Sequence, residues 1–117
     1  MWWNAIIPHA SSKCSLRYPN PCILEQQLKQ EGLVLTETTI PNEPLIPLAE
    51  YLNKEGPFDI NYRKCDSTWA LADEEELAAG LKWWRSMLDR GEAEAFMATQ
   101  EHVRALVGQT VSYVSMK

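Results

Sequence analysis

Apolar and polar residues change their spacing several times along the chain, and each change marks an element. Residues 1–19 open with the apolar cluster Trp2, Trp3, Ile6 and Ile7 ahead of Pro8. They continue through the small, polar "HASSKCSLRYP" without a clear period, so an irregular or part-helical segment is expected. A helix–strand unit over 20–40 follows. Asn20 suits a helix cap and Pro21 its first position, where a missing N–H costs nothing. Ile23, Leu24, Gln27, Leu28 and Glu31 share one helical side, with Ile23, Leu24 and Leu28 as its core stripe. Gly32 follows as a left-handed stop. From Leu33 to Ile40, β-branched residues dominate and apolar positions alternate, which predicts a strand over 33–40 closed by Pro41.

Residues 41–72 hold Pro41, Pro44, Pro47 and Pro57 and read as a long loop with at most a short helix around Leu48 to Lys54. A two-helix segment is expected over 73–107. Asp73 and Glu76 form a capping box at its start. Leu77, Leu81, Trp84 and Leu88 then fall on one helical stripe. Gly80 interrupts that helix at a cost of about 1 kcal/mol relative to alanine. Gly91 ends the first helix, and a second runs from Ala93 to Val107 with Phe96, Thr99, Val103 and Leu106 on one face. Beyond Gly108, the alternating "QTVSYVSMK" predicts a final strand over 109–116 within the segment 109–117. Two strands are a marginal sheet in water unless helices cover them. A further element is expected along one strand edge.

Composition narrows the function classes. The chain has 117 residues, a length that suits one domain or part of one. Its net charge of −5 disfavours binding to phosphate backbones, which call for clustered positive charge, so no nucleic-acid partner is expected. No apolar run approaches the roughly 18 residues of a membrane span. The first residues lack the basic flank of a signal peptide, and the expected location is the cytoplasm. Cys14, Cys22 and Cys65 are odd in number and contain no C-x-x-C pair, which argues against a disulfide framework or a zinc site.

The stretch "RYPNPCILEQQLKQEGLVLTETTIP" resembles the late part of class I S-adenosylmethionine-dependent methyltransferases of the small-molecule type. In that family an Arg-aromatic-Pro turn opens a helix, a glycine follows and a strand begins. Arg17, Tyr18, Pro19, Leu24, Leu28, Gly32 and Leu33 match this order, with "EGL" where "AGF" is commoner. "DSTWALADEEELAAGLKWWRSML" looks like the variable helical insert, and "GQTVSYVSMK" like the last strand, which in such enzymes runs antiparallel between the two preceding strands. The resemblance implies an α/β fold class, an incomplete Rossmann-like C-terminal portion with few strands covered by three or more helices. It also implies methyl transfer to a small acceptor in a complete domain. The chain departs from the family in its glycines, at 32, 56, 80, 91 and 108, none of which forms G-x-G. The cofactor-binding half is therefore expected from a truncated-away segment or another chain, and no S-adenosylmethionine is expected to bind this chain by itself.

By the same resemblance, Trp2, Trp3, Asn4 and His9 fall just after the fifth strand, facing the methyl acceptor. Taken as residues alone, the tryptophans equally suit a core or a partner-facing surface. His9 could serve as a base but has no placed partner. Trp83 lies beside the core stripe and either packs there or reaches an acceptor pocket or interface. Trp69 and Tyr62 sit in the loop region and either line a pocket or anchor the loop. Asp73-Glu74-Glu75-Glu76 suits helix capping better than a metal, and Asp66-Ser67 with His102 lacks a nucleophile elbow. No catalytic residue is assigned. The alternative expectation is a small interaction or regulatory module that binds a partner through exposed aromatics and a strand edge, or through self-association.

Overall fold

The structure is a computed structural model that describes residues Met1–Lys117. It is mixed helix and strand, with six α-helices, three short 3-10 turns and a two-stranded sheet. The helices are α1 (Pro8–Ser15), α2 (Pro21–Gln30), α3 (Leu48–Tyr51), α4 (Ile60–Arg63), α5 (Glu74–Asp89) and α6 (Ala93–Val107). The strands are β1 (Val34–Thr39) and β2 (Ser112–Met116). No helix is long and apolar enough to cross a membrane.

The core is aromatic and lies wholly in the helical part. Trp2, Trp3, Ile6, Ile7 and Ala10 from the N-terminal segment meet Tyr51, Trp69, Trp84, Ala93 and Met97. Trp2 stacks at a tilt on Trp84 with ring centroids 4.9 Å apart and meets Trp3 edge-on at 5.6 Å. Each buried indole also carries an N–H that needs an acceptor. The Trp2 N–H donates to the Tyr51 carbonyl at 2.6 Å, and the Trp84 N–H to the Lys54 carbonyl at 2.7 Å. The Trp3 N–H donates to the Asp66 carboxylate at 3.1 Å. All three bonds hold the proline-rich segment against the core.

That segment differs from the long loop expected. Besides α3, it contains a 3-10 turn at Gly56–Phe58, the helix α4 and a 3-10 turn at Trp69–Leu71. Short helical turns fit between the prolines because each proline can start a turn but not sit within a helix. The N-terminal segment is likewise ordered, with a 3-10 turn at Trp2–Ala5 leading into α1.

Local signals behave as their chemistry dictates. The Asn20 side chain accepts from the Cys22 N–H at 2.9 Å, and Gly32, Gly91 and Gly108 all take positive φ. Asp73 caps α5 by accepting from the Glu76 N–H at 2.8 Å. The Glu76 carboxylate does not return to Asp73, as a capping box would have it. It accepts instead from the His9 and Ala10 N–H groups and caps the start of α1, whose own cap position is Ile7. Gly80 explains itself by contact: it is buried, and a Cβ there would overlap the Ile6 carbonyl.

The sheet end is different. β1 and β2 pair antiparallel, from Val34 opposite Met116 to Thr39 opposite Ser112. A bulge lies between Leu35 and Glu37, where the Thr36 hydroxyl donates to the Val114 carbonyl at 3.1 Å. The strands are shorter than the expected 33–40 and 109–116. α2 packs near β1, yet Ile23 of its expected core stripe is exposed and only Leu24 and Leu28 are half-buried. Val34, Val114 and Met116 share the other face of the ribbon and remain exposed. In α6 the apolar face Val103, Leu106 and Val107 points to solvent, while Gln100, Glu101 and Arg104 are partly covered. The molecule extends 54 × 27 × 21 Å with a radius of gyration of 16.9 Å. A compact chain of this length has about 13 Å.

Replacing Gly80 with alanine forces α5 off the Ile6 backbone and is expected to destabilise the fold by about 3 kcal/mol. Chemical denaturation of Gly80→Ala beside the unaltered chain measures this. At an open helix position the same change would stabilise by about 1 kcal/mol, so even the sign is diagnostic.

Candidate functional site

Two concavities flank the aromatic core. The first, of about 550 Å³, lies between the start of α1 and α5. Pro8 and His9 form one side, Asp73, Glu76 and Trp83 the other, and Gly80 its floor region. The groove brings together His9 and Trp83, two of the five residues singled out from the sequence. His9 Nδ1 lies 4.0 Å from Glu76 Oε1, beyond hydrogen-bond reach, and its side chain is 85% exposed. Glu76 is already engaged by two backbone N–H groups, so the pair is not a catalytic dyad. Trp83 is half-buried, edge-on to Phe96 at 5.7 Å. It packs beside the core and also presents a wall to this groove.

The second concavity is larger, about 880 Å³, and opens under the proline-rich segment. Trp3, Tyr18, Tyr62 and Trp69 supply aromatic wall. Glu50, Asp59 and Asp66 supply carboxylates. Trp3 and Tyr62 meet edge-to-face at 5.9 Å, making a corner. The Tyr62 ring lies against Gly56, where any Cβ would collide with it. Asp66 is fixed at both oxygens, accepting from the Trp3 indole and from the Thr68 N–H at 2.8 Å. Asp59 caps α4 through the Asn61 N–H. The Tyr62 hydroxyl and the Trp69 indole N–H are buried without a partner in the chain.

Of the remaining sequence candidates, Trp2 and Trp3 are core residues, 1% and 2% exposed. Trp2 touches neither concavity, whereas Trp3 borders the second. Asn4 is half-buried, with its carbonyl accepting from the Ser11 hydroxyl, and lines neither. The site candidates therefore do not form one constellation. Sequence spacing alone could not reveal the second pocket, because its walls come from Met1 to Trp69 through several turns. The aromatic content of the segment around Tyr62 and Trp69 was the available signal. No three His, Cys, Asp or Glu side chains converge as a metal ion would require. Comparison with protein-family models, curated proteins and solved structures gave no match.

Burial pushes the Tyr62 phenol well above its ordinary range, and the nearby Glu50, Tyr51 and Asp66 push it the same way. Tyr51 is raised as well, first by burial and then by Glu101. Because the folded state holds these protons more tightly, the associated stability is complete below the ordinary value of 10.0 and is lost as pH rises toward the folded value. Denaturant unfolding at stepped alkaline pH should show stability falling from that point, and Tyr62→Phe should make the fall shallower. An unchanged slope in Tyr62→Phe would contradict the assignment.

Proposed function

We propose that residues 1–117 form the acceptor-side, C-terminal portion of a Rossmann-like class I methyltransferase sheet, completed by strands from another segment or chain. The observation that carries this is the pairing of β1 with β2. The strand after α2 pairs antiparallel with the last strand across a helical insert, the arrangement that the resemblance implies. In that arrangement the outer edge of β2 receives the fifth strand. The exposed face of Val34, Val114 and Met116 receives a covering helix, as sheets in α/β folds have both faces covered.

Such a portion supplies walls for a small methyl acceptor rather than a cofactor cradle. The groove bearing His9 and Trp83 is the acceptor-side surface in this scheme. Catalysis would consist mainly of holding the acceptor in line with the methyl group. S-adenosylmethionine would be held by the completing half, since no G-x-G turn is present in this chain. The bare strand edge also favours a second reading, a small interaction module that adds a partner strand.

Titration calorimetry of the chain by itself with S-adenosylmethionine is expected to give no binding; micromolar binding would contradict the proposal. Mass-resolved size exclusion separates the two readings. A dimer or larger assembly fits an incomplete sheet, and a stable monomer fits the interaction module.

A further inference from the structure

We propose that the pocket under the proline-rich segment binds an organic cation, an amine or quaternary ammonium group carried on an apolar body. This assignment goes beyond the methyltransferase reading and does not depend on it. Three features of the pocket converge on that ligand class.

The walls come first. Tyr62 and, at the exposed rim, Tyr18 present aromatic surface, with the buried Trp3 and Trp69 behind them. The faces of such rings carry partial negative charge and attract cations placed over them within about 6 Å. Trp3 and Trp69 are 2% and 5% exposed and form the back of the pocket, so half-buried Tyr62 and exposed Tyr18 are the rings that a trimethylammonium-sized group meets face-on.

The charge is one-sided. Glu50, Glu55, Asp59 and Asp66 border the pocket, and no lysine, arginine or histidine side chain does. Glu55 is paired with Arg85, but Glu50, Asp59 and Asp66 are in no ion pair. Asp66 is the most telling of these. Its two oxygens accept only from neutral donors, the Trp3 indole and the Thr68 amide, and no side-chain cation pairs with it. Glu50 and Asp66 also act on the Tyr62 phenol, raising it further after burial. Met1 also borders the pocket. Burial holds its amino group below its ordinary value, against the pull of Asp66 and Glu101.

The walls are also incompletely satisfied. The Tyr62 hydroxyl and Trp69 indole N–H lack partners within the chain, as buried polar groups seldom do. The hydroxyl oxygen can face a cation, whereas the indole N–H, a donor only, calls for an oxygen acceptor on the ligand's body. The pocket is large enough, at about 880 Å³, to take a ligand of ordinary metabolite size rather than a bare ion.

The test is a titration of the whole chain, followed through tryptophan indole resonances in a nitrogen–proton correlation spectrum. The probes are choline and its uncharged isostere, in which carbon replaces the quaternary nitrogen. Choline should move the Trp3 and Trp69 resonances and leave Trp2 and Trp84 in place. The isostere should bind about tenfold more weakly, the share expected of cation–π and carboxylate attraction together. Glu50→Gln, at an exposed carboxylate with no bond to the fold, should weaken choline several-fold without moving the Trp84 resonance. Asp66→Asn should weaken it further, with the Trp84 resonance again reporting whether the fold is kept. Equal binding of choline and its isostere, unchanged affinity in Glu50→Gln, or choline shifts absent from Trp3 and Trp69 would each overturn the proposal.

Discussion

The burial of Trp2, Trp3 and Trp84 with their indole N–H groups satisfied is the constraint on which the fold depends. A buried indole contributes much apolar area but also one donor that must be paired. Here the three acceptors are the Tyr51 carbonyl, the Lys54 carbonyl and the Asp66 carboxylate, all on the proline-rich segment. A stretch too broken by prolines to form a long helix is thus fixed by the core's own polar requirement. The same bonds place Tyr62 and Asp66 beside Trp3, so the pocket is a by-product of how the tryptophans are satisfied. Gly80 completes the core by letting the Ile6 backbone lie directly on α5.

The sheet end shares none of this. Two polar bonds lie where it joins the helical part: Gln109 accepts from the Leu45 N–H at 2.9 Å, and Arg104 of α6 donates to the Asn42 carbonyl. α6 bridges the two ends and changes character along its length. Ala93 and Met97 are buried in the aromatic core, whereas Leu106 and Val107 are 72% and 60% exposed. Apolar residues turned outward on α6 and on one face of the ribbon form surface of the kind that interfaces bury. An exposed two-stranded ribbon with a free edge is also the element best suited to accept another strand.

Much of the local structure was legible in the sequence, and the reason is that local chemistry decided it. Asn20-Pro21, Gly32, Asp73 and Gly91 act within one turn of their neighbours, so helix limits followed from residue type. The core stripe of α5 was legible too, because Trp84 and its leucine neighbours keep one period. Legibility failed where distant segments decide. Phe96, Thr99, Val103 and Leu106 suggest one buried face on α6, yet only its first half meets a core. Glu76 looks like half of a capping box but is drawn to the uncapped start of α1. Trp2 and Trp3 read as core or partner-facing surface ahead of an acceptor site, and only the packing of Tyr51 and Trp84 around them placed both in the core.

The central claim is that the aromatic core is the well-packed part of the chain and carries a strand pair that is held only weakly. Residue-resolved amide hydrogen exchange of the isolated chain tests this most directly, since local opening energies follow packing. The account predicts slow exchange through the Leu81–Leu88 part of α5 and fast exchange at 34–39 and 112–116. Sheet amides protected as strongly as those of α5 would contradict it.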